Sequence, residues 1–114
     1  MNVLDTGIIV ELLREGKHEV GAISVITLIE VLRGIEGGKR ARIKDLLEES
    51  FTTIPMDNKV IETYCSLYQK LRGEGITVPD ADLLIAATAM SRKMNLKTQD
   101  KHFEKLKNIG LKMT

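Results

Sequence analysis

Short β-branched apolar stretches alternate with helical patterns along the whole sequence, and this alternation limits the possible folds more than any other feature. Residues 1–5, with Val3 and Leu4, read as a buried strand. Residues 20–25 read as a second strand, 51–55 as a third, 95–99 as a fourth and 110–113 as a final short one. Between them fall helical spacings. The first helix runs through Ile8, Ile9, Leu12 and Leu13 and is stopped by Gly16. A second spans 26–33, where Gly34 interrupts it. After the Gly37-Gly38 break, Ala41, Ile43, Leu46 and Leu47 form the apolar positions of an amphipathic helix over 39–49. Asp57 or Asn58 caps a helix to about residue 72, with a stripe of Val60, Ile61, Tyr64, Leu67, Tyr68 and Leu71. The most apolar helix follows Pro79 and runs over 80–92, and a short one begins at 100 or 101. Strands separated by helices predict an α/β domain whose mainly parallel sheet is covered on both faces.

A chain of 114 residues has room for one domain. Its longest apolar run, 83–90, falls short of the roughly 20 residues of a membrane helix, and Asp5 breaks the apolar start before any signal-peptide core can form. The expectation is a cytoplasmic protein. Cys65 is the single cysteine, which excludes an internal disulfide and a Cys/His zinc site, and within a helix it is expected to be a small core residue. Core packing is likewise expected of Tyr64 and Tyr68, with dimerisation or partner docking as the alternative. The net charge of +1 hides a clustering of basic residues in 39–44, at Arg92-Lys93 and in 101–107. Setting aside four of the 16 acids for a metal leaves 12 against 17 basic residues, a balance suited to a polyanion.

Several acids stand where ordinary helix chemistry only partly accounts for them. Asp5, Asp80 and Asp100 occupy places where an N-cap is wanted, and Asp82 lies in a first turn, where the helix dipole favours negative charge. Glu30 is surrounded in sequence by Ile26, Leu28, Ile29, Val31 and Leu32, so its carboxylate either lies near the core or turns out to pair with Arg33 at i+3. Asp82 directly precedes Leu83-Leu84-Ile85-Ala86-Ala87, and Asp80 already offers a cap for that helix. Asp5 and Asp100 follow strands, at the sheet edge where α/β folds bind ligands. Carboxylates sharing one pocket repel each other, and a divalent cation removes the repulsion. Oxygen donors favour Mg²⁺ or Mn²⁺, ions that activate water in phosphodiester hydrolysis. Thr6 and Thr98 stand beside Asp5 and Asp100 and serve either as hydrogen-bond donors to the site or as capping and packing groups.

These residues carry a family resemblance. Val3-Leu4-Asp5-Thr6-Gly7, the segment 23–34 containing Glu30 and Gly34, Asp80-Ala81-Asp82-Leu83-Leu84-Ile85-Ala86-Ala87 and Leu96-Lys97-Thr98-Gln99-Asp100 together resemble the PIN-domain ribonucleases, in particular the VapC toxins of toxin–antitoxin pairs. The four ordered blocks cover nearly the entire chain, and Phe103 and Leu106 also fit. The resemblance implies a single PIN domain over 1–114 with a three-layer α/β/α sandwich and a sheet of four to five strands. It implies that Asp5, Glu30, Asp82 and Asp100 are the catalytic and metal-binding acids, with Asp80 as a cap or outer auxiliary group beside Thr6 and Thr98. It further implies Mg²⁺ or Mn²⁺ as cofactor, RNA such as tRNA as substrate, homodimerisation, and silencing by a VapB-type antitoxin. Lys97 departs from the pattern, standing where the family has an apolar strand residue, and predicts a more exposed face on the fourth strand.

Two rival functions compete with a metal-dependent endoribonuclease. A receiver-type phosphoacceptor domain needs a pair of acids after the first strand and an acceptor Asp ending the third, whereas here the first strand ends in one Asp and the third runs into Pro55-Met56-Asp57. A non-catalytic PIN-fold binding module predicts loss of the acids, and all four are present.

Overall fold

Val3 and Leu4 are both fully buried, and because successive strand side chains point to opposite faces, they enter different cores. This is the computed structural model's central fact, and it describes residues 1–114. The elements in chain order are β1 (Val3–Leu4), α1 (Thr6–Glu15), β2 (Ala22–Ser24), α2 (Val25–Arg33), α3 (Gly37–Ser50), β3 (Thr52–Ile54), α4 (Asn58–Gly73), α5 (Asp80–Ser91) and β4 (Leu96–Lys97), followed by a 3-10 helix over Lys101–Ile109. The strands form one parallel sheet in the order β3-β2-β1-β4. Val3, Ala22, Ile54 and Leu96 face a core built with α4, α5 and the 3-10 helix. Leu4 and Ile23 face a second core with α1, α2 and α3. The result is a three-layer α/β/α sandwich. No helix is long and apolar enough to cross a membrane.

The strand order has a direct bearing on function. The chain moves outward from β1 to β2 and β3, then returns to the other side of β1 for β4. The sheet therefore reverses direction at β1, and the crevice outside its carboxyl end is where this class of sheet binds ligands. A receiver-type domain has the order 2-1-3-4-5, which this sheet does not.

Several expectations are corrected. The fifth strand shrinks to one parallel bridge, Leu96 with Met113, held by Leu96 N–H to the Lys112 carbonyl at 2.8 Å and Thr114 N–H to the Leu96 carbonyl at 2.9 Å. Cys65 is exposed: the buried positions of α4 are Val60, Leu67 and Leu71, and Cys65 lies off that line. Ile61 and Tyr68, at the stripe's margin, are also exposed. In α3 only Leu47 of the apolar set is buried, and the helix starts earlier than its glycine break suggested, at Gly37. Lys97 leaves its face of β4 part-exposed, with 37% of its side chain open to solvent. Its ammonium meets both carboxylate oxygens of Glu19 at 2.9 Å, so its charge is paired while its stem covers the sheet.

Gly21, just before β2, has no room for a side chain. A Cβ there would stand 2.9 Å from Leu4 Cγ and 3.1 Å from the Asn2 carbonyl oxygen, which also accepts the Ala22 N–H. Since Leu4 is fully buried, it has no solvent to retreat into. Gly21→Ala is expected to destabilise the protein by about 1–3 kcal/mol through overpacking, read as a lower midpoint in urea denaturation.

Candidate functional site

Each acid reaches the carboxyl edge of the sheet by a different route. Asp5 leaves β1 and caps α1, its Oδ1 accepting the Ile8 N–H at 3.0 Å. Ser24 ends β2 and, without any intervening loop, caps α2 by accepting the Ile26 N–H at 3.0 Å. The second turn of α2 then carries Glu30 back to the edge. Asp82 sits in the first turn of α5. Asp100 follows β4 and caps the 3-10 helix, accepting the His102 N–H at 2.9 Å.

These four acids, with Thr6, Gly7, Ile85 and Phe103, line one cleft of about 110 Å³. For Asp5 and Asp100, capping and membership of the cleft are simultaneous, since one carboxylate has oxygens for both. Glu30 combines both readings open to it. It lines the cleft, yet Arg33 Nη2 stands 3.7 Å from its Oε2, while Thr6 Oγ1 donates to its Oε1 at 2.6 Å. Thr6 Oγ1 also lies 3.1 Å from that of buried Thr27, which ties α1 to α2 beneath the acid.

Thr98 acts one step behind the cleft. Its hydroxyl donates to Asp5 Oδ2 and accepts the Asp100 N–H at 2.9 Å, so it links two of the four acids without lining the cleft. Thr98 lies beyond β4, which ends at Lys97 and is shorter than the expected strand over 95–99.

Asp80 is neither the cap nor a lining group. The N-cap position is Pro79, with no side-chain cap, and Asp80 Oδ1 instead accepts the Tyr64 hydroxyl at 2.7 Å. Two positions along a helix turn a side chain by about 200°, so Asp80 and Asp82 point to opposite sides of α5. The bond to Asp80 holds the Tyr64 phenol in its neutral form and pushes its pKa up to about 12. Asp80→Asn is expected to move one phenol of the protein to a lower pKa, seen as earlier phenolate absorbance in an alkaline titration.

Asp82 is the acid whose charge is least compensated. Its half-burial raises its pKa first, and the negative charges of Asp100, Glu30 and Asp5 raise it further, with His102 opposing them. His102 was missed in the sequence because it looked isolated. Ligand-type atoms of Asp82, Asp100 and His102 lie within 4.8 Å of one another, and His102 Nδ1 is 3.1 Å from Asp100 Oδ1. The available signal was its place two residues after a capping Asp, in the first turn and next to buried Phe103. The donor set, oxygen-rich and mutually repelling, fits a hard divalent cation.

A raised carboxyl pKa means that the folded chain holds the Asp82 proton more tightly than the unfolded chain does. Its ionisation therefore contributes nothing below the unfolded value, opposes folding increasingly as pH rises from the unfolded value to the folded one, and opposes it fully above that. With no divalent ion added, Asp82→Asn is expected to raise the thermal midpoint at neutral pH. The gain should shrink as the pH is lowered through the Asp82 pKa.

The sequence model of the PIN domain matches residues 3–109. Ribonuclease VapC1 of Methanocaldococcus jannaschii is 35% identical over 115 residues, covering 97% of this chain and 85% of the relative. Ribonuclease VapC4 of Mycobacterium tuberculosis is 31% identical over 93 residues, covering 76% and 72%. Among solved structures, VapBC-5 from Mycobacterium tuberculosis, a member of the VapBC family of toxin-antitoxin systems, superposes with a TM-score of 0.76 at 26% identity, covering 99% of this chain and 98% of that one. VapBC-1 from nontypeable Haemophilus influenzae reaches a TM-score of 0.82 at 23% identity, over 99% and 96%, a likeness of fold.

Proposed function

This chain belongs to the PIN-domain family, and on that premise we propose that it is a divalent-metal-dependent endoribonuclease and the toxin of a toxin–antitoxin pair. The observation that carries the reading is the convergence of Asp5, Glu30, Asp82 and Asp100, from four separate elements, on one cleft at the carboxyl edge of the sheet. The relatives named as ribonucleases support it, and the VapBC neighbours support a VapB-type antitoxin as partner. RNA, including tRNA, is the substrate of this reading, a homodimer its working form, and residues 1–114 form its single domain.

In this reading the four carboxylates hold Mg²⁺ or Mn²⁺, whose preference for oxygen donors they match. The bound ion supplies a Lewis acid for the scissile phosphate and lowers the pKa of attacking water. The residues of the chain do the rest. Thr98 fixes Asp5 and Thr6 fixes Glu30, so both carboxylates present set oxygens to the cleft. Hydrogen-bonded supports of this kind keep acids that would otherwise rotate apart within working distance. A carboxylate of the cluster takes the proton of the water that attacks phosphorus in line.

Asp5 and Asp82 differ as test positions. Asp5→Ala removes the cap of α1 and costs about 1 kcal/mol of stability in addition to any effect on chemistry. Asp82→Asn leaves every cap intact and isolates the chemistry. In Mg²⁺ or Mn²⁺, Asp82→Asn is expected to slow cleavage of labelled RNA by about 100-fold or more with the circular dichroism spectrum unchanged. Full cleavage by the rigorously purified variant would place the activity outside this cleft. An absence of Mn²⁺ binding by the native chain would support a scaffold without catalysis.

A further inference from the structure

We propose that His102 is a nitrogen ligand of the divalent ion in the acidic cleft, giving the site an Asp82–Asp100–His102 face that favours Mn²⁺ and later transition metals over Mg²⁺. The inference rests on the reading of the cleft as a metal site and adds to it a donor of a different kind.

Position is the first argument. Ligand-type atoms of Asp82, Asp100 and His102 lie within 4.8 Å of one another. The His102 Nδ1 to Asp100 Oδ1 separation is 3.1 Å. Neighbouring ligands on an octahedral ion, each at about 2.1 Å from it, stand roughly 3 Å apart. The nitrogen and the oxygen are thus already spaced as adjacent ligands of one ion.

Support is the second argument. The His102 N–H is held by Asp100 Oδ1 at 2.9 Å, and the next residue, Phe103, is buried in the core and lines the same cleft. The backbone of His102 is therefore pinned on both sides, while its imidazole remains exposed and has no core-packing role. His102 stands at the rim of the cleft, outside its lining residues, beside Asp82 and Asp100, whereas the other histidine, His18, lies against Phe51 with ring centroids 6.4 Å apart.

Donor chemistry is the third argument. Mg²⁺ takes oxygen ligands and keeps much of its water, so an imidazole does little for it. Affinity of a site containing imidazole rises from Mn²⁺ through Co²⁺ to Ni²⁺. One histidine among carboxylates therefore shifts the selectivity of the cleft without changing its charge count.

The test compares the native chain, His102→Ala and Asp82→Asn, each confirmed as folded by circular dichroism without metal. Calorimetric titration with Mn²⁺ and Mg²⁺ is paired with pulsed electron paramagnetic resonance of the Mn²⁺-loaded proteins. The native chain should show ¹⁴N coupling from a directly bound imidazole, and His102→Ala should lose it. His102→Ala should weaken Mn²⁺ by about 10-fold or more, and Mg²⁺ by less than about 3-fold. Mn²⁺ bound by the native chain without nitrogen coupling, and lost in Asp82→Asn, would overturn the role of His102 and leave the four-acid site standing. Equal losses of Mn²⁺ and Mg²⁺ in His102→Ala would overturn the selectivity. Failure of the native chain to bind either ion would remove the metal reading itself, and this inference with it.

Discussion

Repulsion among four carboxylates in a cleft of about 110 Å³ is the constraint around which the carboxyl edge of this sheet is organised. Each acid needs a partner that holds it against its neighbours. Asp5 has a helix N-terminus and the Thr98 hydroxyl, Glu30 has Thr6 and the more distant Arg33, and Asp100 has a second helix N-terminus. Asp82 accepts no hydrogen bond of this kind and has the favourable field of its own first turn and of nearby His102, and burial with its acidic neighbours still raises its pKa. The cluster thus concentrates its unrelieved charge at one position instead of spreading it evenly. An arrangement that lowers folded stability and raises affinity for a cation is a common exchange at functional sites.

The sheet makes this convergence possible with very little chain. β1 and β4 have two residues each, and β2 and β3 three each. After β1 a single residue precedes the first helical turn, and after β2 none does. Asp5 and Ser24 sit at these junctions, and both act as caps. Because β1 lies between β2 and β4, elements following all three strands arrive beside one another. The catalytic reading of the edge therefore depends on strand order as much as on the acids.

The alternation of strands and helices was readable because burial on both sheet faces leaves continuous apolar stretches such as Ala22-Ile23 and Val3-Leu4, and because helix spacing differs from strand spacing. The convergence of the acids was readable only through the order of four motif blocks; local pattern alone left each acid with a capping explanation. What escaped was set by contacts distant in sequence. Asp80 turned to Tyr64, 16 residues away, because proline took the cap position. Lys97 found Glu19 across 78 residues, so a charged strand residue became a paired one. Cys65 was misplaced because a helix's apolar stripe has edges, and one step of 100° moves a residue from core to solvent. His102 lay in plain view, but a histidine gains meaning only from neighbours that the fold supplies.

The double duty of Asp5 has an evolutionary consequence. A descendant released from selection for cleavage would be free to lose Asp82, whose removal relieves strain in the folded chain. Replacement of Asp5 would remain costly, because α1 needs an oxygen at that position, and drift there would be channelled toward Asn, Ser or Thr. The acids of this cleft would therefore erode in a fixed order, and a pseudo-enzyme of this lineage should be recognisable by a surviving cap at the end of β1 beside an emptied first turn of α5.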